Sequence, residues 1–456
     1  MKNNSGLGSQ STEANFRHRK LTLALAIMGV GMLLAVIWAA VQGWGLGRGY
    51  PYNTFLFGPE YRFNDFLDSI LDARRVNPYL DPYGIYLPFA WVFFRLFAVL
   101  PDSLGLTLFL FAGVGTLYVL LVATLADVVK SPWKRVGASL LLLGLSYPVL
   151  IAVDRANLEI YLALLMAGTI YFIDRVQYRM AAACLLVSVC FKMYTILFFA
   201  LLFQRRRVQM VVVCIVAFLL IDVVSAQLLF LPAGNGLELY GRNLVFFNEQ
   251  NFYENYDLEG CSSLWNVYKI GLVTAAKLGA IAPVDFSFDG SFIGTSYTVY
   301  SVIVALIAVA LALHVCIVER EFLRCAIALL LYISIFTPLG SDYRLLYANI
   351  ALVALVLLKT RRPFDLAILV LVALAMVPKK EFFLTYIGIT ESGVADVSIQ
   401  AVLNPLLVLA ALILLVRDSF RTFDSSQNWS RLRRQIAAIM TRKKQKPAAM
   451  APAKTA

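Results

Sequence analysis

Long apolar runs recur along this chain, separated by short polar stretches. "LTLALAIMGVGMLLAVIWAAVQ" (21–42) is the first, and others fall at 104–128, 135–152, 157–174, 208–231, 297–318, 322–338, 344–358, 364–378 and 398–416. Most reach about 15–25 residues, near the ~20 that a helix needs to cross a hydrocarbon core of ~30 Å. Basic residues cluster between the runs: "FRHRK" (16–20), "KSPWKR" (130–135), "QRRR" (204–207), "KTRRP" (359–363) and the tail from Arg417 onward. Such clusters read as cytoplasmic loops. Two apolar stretches, 83–100 and 178–203, resist a simple count. If each crosses once, "KSPWKR" falls outside while "QRRR" stays inside. If 83–100 lies on the outer surface and 178–203 enters and returns as two half-length helices, every basic loop is cytoplasmic. Broken helices are tolerated where they line a cavity in the protein, and we favour this reading. It predicts an all-α, polytopic membrane protein of about 11–13 membrane helices, short broken or re-entrant ones included. Its parts are a cytoplasmic segment 1–20, a membrane domain 21–416 with outer loops 43–103 and 232–296, and a basic cytoplasmic tail 417–456.

Composition agrees. Hydrophobic residues make up 60% of the chain and charged ones 15%, against roughly 45–50% and about 25% in soluble domains. The net charge of +12 is spread over loops, with no basic domain to carry nucleic acid. Five of the six cysteines lie in apolar segments and only Cys261 in a polar loop, so no disulfide and no CxxC metal spacing is expected. His18 and His314 form no metal triad. Segment 21–42 is too long for a cleaved signal core and lacks a small-residue cleavage site, which makes it a signal anchor. "NWSRLRRQIAAIM" in the tail is basic and amphipathic, suited to anionic inner-leaflet lipids; "KKQKPAAMAPAKTA" after it is expected to be disordered.

Candidate chemistry gathers on the outer side. "RFNDFLDSILDARRVNPYLDPYGIYLPF" (62–89) predicts a short surface helix capped by Asn64. Asp65, Asp68 and Asp72 share one face at i, i+3 and i+7, and Phe66, Leu67, Ile70 and Leu71 take the other. "DRANLE" puts Asp154, Arg155, Asn157 and Glu159 at a helix mouth. "CFKMYTILFF" buries Lys192 in an apolar run, and an ionisable group at membrane depth is a functional hypothesis by default. "TPLGSDYRLL" sets Asp342, Tyr343 and Arg344 at an outward helix end, and Arg95 is expected to snorkel to headgroups. The acidic, aromatic insertion 232–296 lies over this region.

The ordered series "NDF…ARRVNPY…YLPF", "DRANLEIYLALLMAG", "FKMYTILFFALLFQRRR" and "TPLGSDYRLL" resembles the polyprenyl-phosphate-sugar-dependent glycosyltransferases of the GT-C superfamily, most of all glycosyltransferase family 87, over about residues 20–416. The resemblance implies a bacterial inner-membrane enzyme facing outward. It would move mannose or a similar sugar from a polyprenyl-phosphate donor to a glycan or glycolipid hydroxyl. It implies a catalytic carboxylate at Asp65, with Asp68 as understudy. "DRANLE" departs from the Gly-Gln that many members carry before the Asn. The chemistry asks for cations at the leaving phosphate, for which Arg344, Lys192 and Arg155 are the candidates. Asp154, Asn157, Glu159, Tyr256, Trp265, Asp342 and Tyr343 are candidates for holding sugar or acceptor. No cofactor beyond the lipid-linked sugar is expected, and no Asp-x-Asp metal pair occurs in the first outer loop. A transporter or flippase would also want intramembrane cations, but neither repeat symmetry nor a midplane site is evident. A polymerase or ligase acting on lipid-linked oligosaccharides is the remaining alternative.

Overall fold

The computed structural model describes residues 5–50, 52–82, 84–230, 236–248, 261–280, 291–338, 341–379, 384–390 and 393–422. In chain order the helices are α1 (Ser5–Ala40), α2 (Asn64–Ala73), α3 (Pro88–Ala98), α4 (Asp102–Thr124), α5 (Pro132–Gly144), α6 (Tyr147–Arg155), α7 (Glu159–Asp174), α8 (Tyr178–Phe191) and α9 (Phe199–Gln204). They continue as α10 (Val208–Phe230), α11 (Gly236–Asn248), α12 (Leu264–Lys277), α13 (Ser291–Leu313), α14 (Phe322–Ile335), α15 (Leu346–Leu357), α16 (Asp365–Ala375) and α17 (Gln400–Arg421). The all-α expectation holds apart from one antiparallel hairpin, β1 (Leu384–Thr390) with β2 (Gly393–Ser398), in which Leu384 faces Ser398.

Among the described residues, five helical stretches are long and apolar enough to span a bilayer alone: Glu13–Gly45, Asp102–Asp127, Val208–Leu228, Phe292–Val318 and Gln400–Arg421. A sixth candidate is the pair α5 and α6, bent by 69° at the break between them, where the sequence reads as one span. The expected 11–13 membrane helices thus separate into five or six candidate spans and a set of shorter helices. Several runs that look like spans are core helices. α14 has only 14 residues and is buried on nearly every side, as expected of a helix that is apolar all round. α15, of 12 residues, packs beside it, and α16, of 11 residues, packs on α15 and α17. By contrast α10 leaves Val212, Val216, Leu219 and Val223 exposed, the surface a lipid-facing helix presents. Close approach is helped where α4 crosses α7: a Cβ on Gly113 would meet Ile160 at 3.0 Å.

The two awkward stretches have clear courses. α8 climbs from Tyr178 to Lys192, which reaches Glu159 at the start of α7. Residues 193–204 then descend, and Arg205 lines the same cavity as Asp174 and Arg175. Segment 178–203 therefore runs along the bundle and doubles back. α3 has 11 residues and lies along α2. Arg95 on α3 donates to Ala73 O at 3.1 Å, Arg75 O at 3.1 Å and Val76 O at 3.3 Å. It caps the end of α2 instead of snorkelling. The loop 43–103 and the insertion after α10 share one end of the bundle, since Asn243 donates to the carbonyls of Tyr79, Asp81 and Gly84 at 3.0, 2.7 and 3.2 Å.

Candidate active site

α6 ends in "DRAN", and the polar loop is fastened to it. Asp154 accepts from Phe57 N at 3.0 Å, and its backbone carbonyl accepts from Phe63 N at 2.7 Å. Arg155 donates to Tyr61 O at 3.2 Å and lies over the Phe57 ring at 4.9 Å. Two non-glycine residues are left-handed at this junction, Phe63 with φ 60° and Ala156 with φ 48°. Such conformations cost free energy and persist where the surroundings over-determine them, often at functional sites. Phe63, not Asn64, is the residue before α2, and its carbonyl accepts from Phe66 and Leu67 at 3.1 and 3.0 Å.

These turns aim Asp65 inward. Its Oδ1 accepts from Arg155 Nε at 3.0 Å and also from Nη2, while Oδ2 accepts from Asn157 Nδ2. Asn157 Oδ1 in turn accepts from Glu159 N at 2.8 Å. A carboxylate oxygen has about two lone-pair sites, so Oδ2 keeps one acceptor position. The acidic face of α2 is thus turned partly to the protein. Asp68, one turn on, is exposed and makes no hydrogen bond or ion pair among the described residues. Partial burial, then the Asp65 charge, raise its carboxyl above the ordinary range, with Arg155 opposing. Burial and the neighbouring Asp81 push Asp72 up to about 6.

A second cluster centres on Glu159, which is fully buried. Lys192 Nζ donates to Oε1 at 2.7 Å, Tyr194 OH lies 2.8 Å from both oxygens, and Tyr347 OH donates to Oε2. Lys192 is where α8 breaks: its backbone is extended, φ −150° and ψ 123°. Arg344 approaches Oε1 only to 3.6 Å and lies over the Tyr194 ring at 5.2 Å. Its Nε is buried and has no hydrogen-bond partner among the described residues. One carboxylate therefore faces two cations, and one of these has unspent donors. Tyr86 links the clusters: Lys192 sits 5.6 Å over its ring, and it lies within electrostatic range of Asp65 and Glu159. Tyr343 is likewise within range of Asp65 and Arg155.

Two expected ligands are placed elsewhere. Trp265 is 1% exposed, packed against Tyr268, Tyr297 and Tyr300 at 5.2–5.3 Å, so its faces are closed to a sugar. Asp342 is buried and takes hydrogen bonds from Tyr147 at 2.6 Å, Gln400 at 2.6 Å and Ser262. It ties α6, α17 and the 261–263 loop together. Tyr256 lies outside the described residues. Sequence reading passed over Tyr86, Tyr194 and Tyr347; the signal available was a tyrosine two or three residues after each buried cation, in "KMY" and "RLLY".

These features define a membrane-embedded bundle with an ionised, tyrosine-lined site at one end. The model of glycosyltransferase family 87 matches residues 85–341, more than half of the chain, and the chain belongs to that family, a GT-C family. It is therefore a membrane glycosyltransferase, of a class that uses lipid-linked substrates. No curated protein matches it. The matched range contains Asp154, Arg155, Asn157, Glu159 and Lys192; Asp65 precedes it and Arg344 follows it by three residues.

Proposed function

We propose that the chain transfers mannose or a similar hexose or pentose from a polyprenyl-phosphate donor to a hydroxyl of an extracytoplasmic glycan or glycolipid. The observation that carries this reading is the imbalance at Glu159: Lys192 and Arg344 share one carboxylate beside Asp65. A phosphate fits that surplus. In the reaction the acceptor oxygen attacks the anomeric carbon, and the bond from that carbon to the phosphate oxygen breaks. Asp65 Oδ2 takes the hydroxyl proton. The leaving polyprenyl phosphate gains negative charge, which Arg344 and Lys192 meet in a site of low dielectric. Arg155 and Asn157 orient the base, and Tyr86, Tyr343 and Asp68, all close to Asp65, are the groups offered to sugar and acceptor. Lys359, Arg205 and Arg17 at the opposite end of the bundle support a cytoplasmic placing of that end, in a bacterial inner membrane, with the site outside.

The test is release of polyprenyl phosphate by the purified protein from polyprenyl-phosphate-mannose and candidate acceptors. Asp65→Asn keeps shape and most hydrogen bonds but cannot accept the proton, so turnover is expected to fall by about two to four decades while donor binding persists. Normal turnover in Asp65→Asn with a dead Asp68→Asn moves the base to Asp68. Solute movement without bond cleavage would overturn the reading in favour of a transporter.

A further inference from the structure

A cavity of about 240 Å³ opens at the end of the bundle away from Glu159. That is space for several waters, at ~30 Å³ each. Ala163, Ala167 and Ile170 of α7 form one wall, and Leu346, Asn349 and Val353 of α15 another. Each set repeats at helical spacing, so it is one continuous face. α15 has 12 residues, which at 1.5 Å per residue gives ~18 Å, close to the depth of one leaflet's hydrocarbon.

Polarity is graded along this cavity. Arg175, Arg205, Lys359, Asp127, Asp174 and Glu321, at helix ends, and Arg17, on α1, lie at its mouth. Arg175 is matched by Asp127 at 3.3 Å, and Glu321 by Arg324 at 3.0 Å. Arg17 has only Glu13, at 3.7 Å; Arg205 lies over the Phe322 ring at 4.9 Å, and neither Arg205 nor Lys359 has a carboxylate within ion-pair distance among the described residues. Against these three cations stand Asp174 and, beside Arg17, Glu13, so the mouth is net positive. Deeper in, the walls are apolar except for Asn349, which is 5% exposed and makes no side-chain hydrogen bond among the described residues. A molecule entering the cavity would give that amide oxygen a partner. The inner end stops one turn below Glu159 on α7 and next to Tyr347 on α15.

We propose that this cavity holds one glycerophospholipid from the leaflet on the side of the basic loops. Its phosphate sits among Arg17, Arg205 and Lys359, and one acyl chain runs along α7 and α15 to end beneath Glu159. The gradient favours this over a donor tail threaded from the Glu159 side, whose apolar tip would finish among the cations. The occupant props apart the two helices whose Glu159 and Tyr347 are joined by a hydrogen bond.

The test uses the full chain in nanodiscs with phosphatidylglycerol carrying a photoreactive group at one acyl terminus. Crosslinks are expected on residues 163–171 and 346–354. Ala167→Phe, which fills the lumen, is expected to cut them by about tenfold. Should that variant melt far below the parent, Arg205→Gln/Lys359→Gln takes its place, with a loss of about tenfold from two missing charge-assisted contacts. Equal labelling in the folded variants, or labelling confined to the outer faces of α10 and α13, overturns the proposal. Displacement by inorganic phosphate alone overturns it in favour of a free-anion site. Preferential labelling of the same residues by tail-labelled polyprenyl phosphate overturns it in favour of the donor, and leaves the glycosyltransferase reading intact.

Discussion

Two buried charge clusters sit at opposite ends of this bundle, and they are built differently. Around Arg324 each guanidinium nitrogen donates to a carboxylate. Its side chain is fully buried, with Glu321 at 3.0 Å, Asp365 at 2.5 Å and Asp418 at 3.3 Å. Arg362 holds Glu319 at 2.8 Å, Ser419 donates to Glu319, and Lys20 donates to the carbonyls of Leu355 and Leu358 at 2.6 and 3.1 Å. The Arg324 network locks α14, α16 and α17 together, and Lys20 fastens α1 to the end of α15. Around Glu159 the cations outnumber the carboxylate, and Arg344 keeps unused donors. Buried charge that is fully paired reads as architecture. Buried charge with a surplus reads as a place for an anion that is not part of the protein.

The largest expected effect is on the saturated side. Arg324→Ala leaves Asp365 and Asp418 buried with little compensation, Arg362 Nε being 3.9 Å from Asp418. Breaking such a pair costs about 3–5 kcal/mol, so thermal melting in detergent is expected to fall sharply. Arg344→Ala is the counterpart. If Arg344 meets the donor phosphate as proposed, its loss is expected to cost about 1.5–3 kcal/mol, or one to two decades in turnover, with melting close to the parent. Lys192→Ala is expected to lose activity similarly and some stability too, because it strips Glu159 of its shortest partner. If Arg344→Ala melts as badly as Arg324→Ala and the folded fraction is fully active, the distinction between the clusters collapses.

Much of the open cluster was legible in the chain, and little of the closed one. "DRANLE", "FKMY" and "SDYR" each put an ionisable group at the end of an apolar helix, a costly placement that only a site or a specific partner offsets. The structure brings Arg155, Asn157 and Asp65 together, and Glu159, Lys192 and Arg344 together. Arg324 in "FLRCAIALL" sits in an equally apolar run, and beyond nearby Glu321 its two other partners are 41 and 94 residues away. Local pattern carries no trace of them. The same holds for Asp342, whose partners come from positions 147, 262 and 400. Helix number suffered from a related limit: an apolar run of 14 residues reads alike whether it faces lipid or the core, and only packing tells α14 from a span.

The smallest expected effect tests a third arrangement, neither saturated nor open. Asp72 lies on α2, paired with Arg75 at 3.2 Å, and Arg75 also holds Asp81 at 2.9 Å. Burial and Asp81 push the Asp72 carboxyl up to about 6, from an ordinary value near 4. A raised carboxyl binds its proton more tightly in the folded state. Its contribution to stability is therefore full below about pH 4 and is lost as pH rises through about 6. Asp72→Asn removes that loss. Melting of the variant is expected to exceed the parent by about 1–3 °C at pH 7, with the gap closing near pH 4 and turnover nearly unchanged. Arg75 keeps Asp81, so little is forfeited in the ion pair. A variant that melts lower than the parent at pH 7 would show that Arg75 outweighs burial, and would move Asp72 into the company of the fully paired carboxylates at the other end of the bundle.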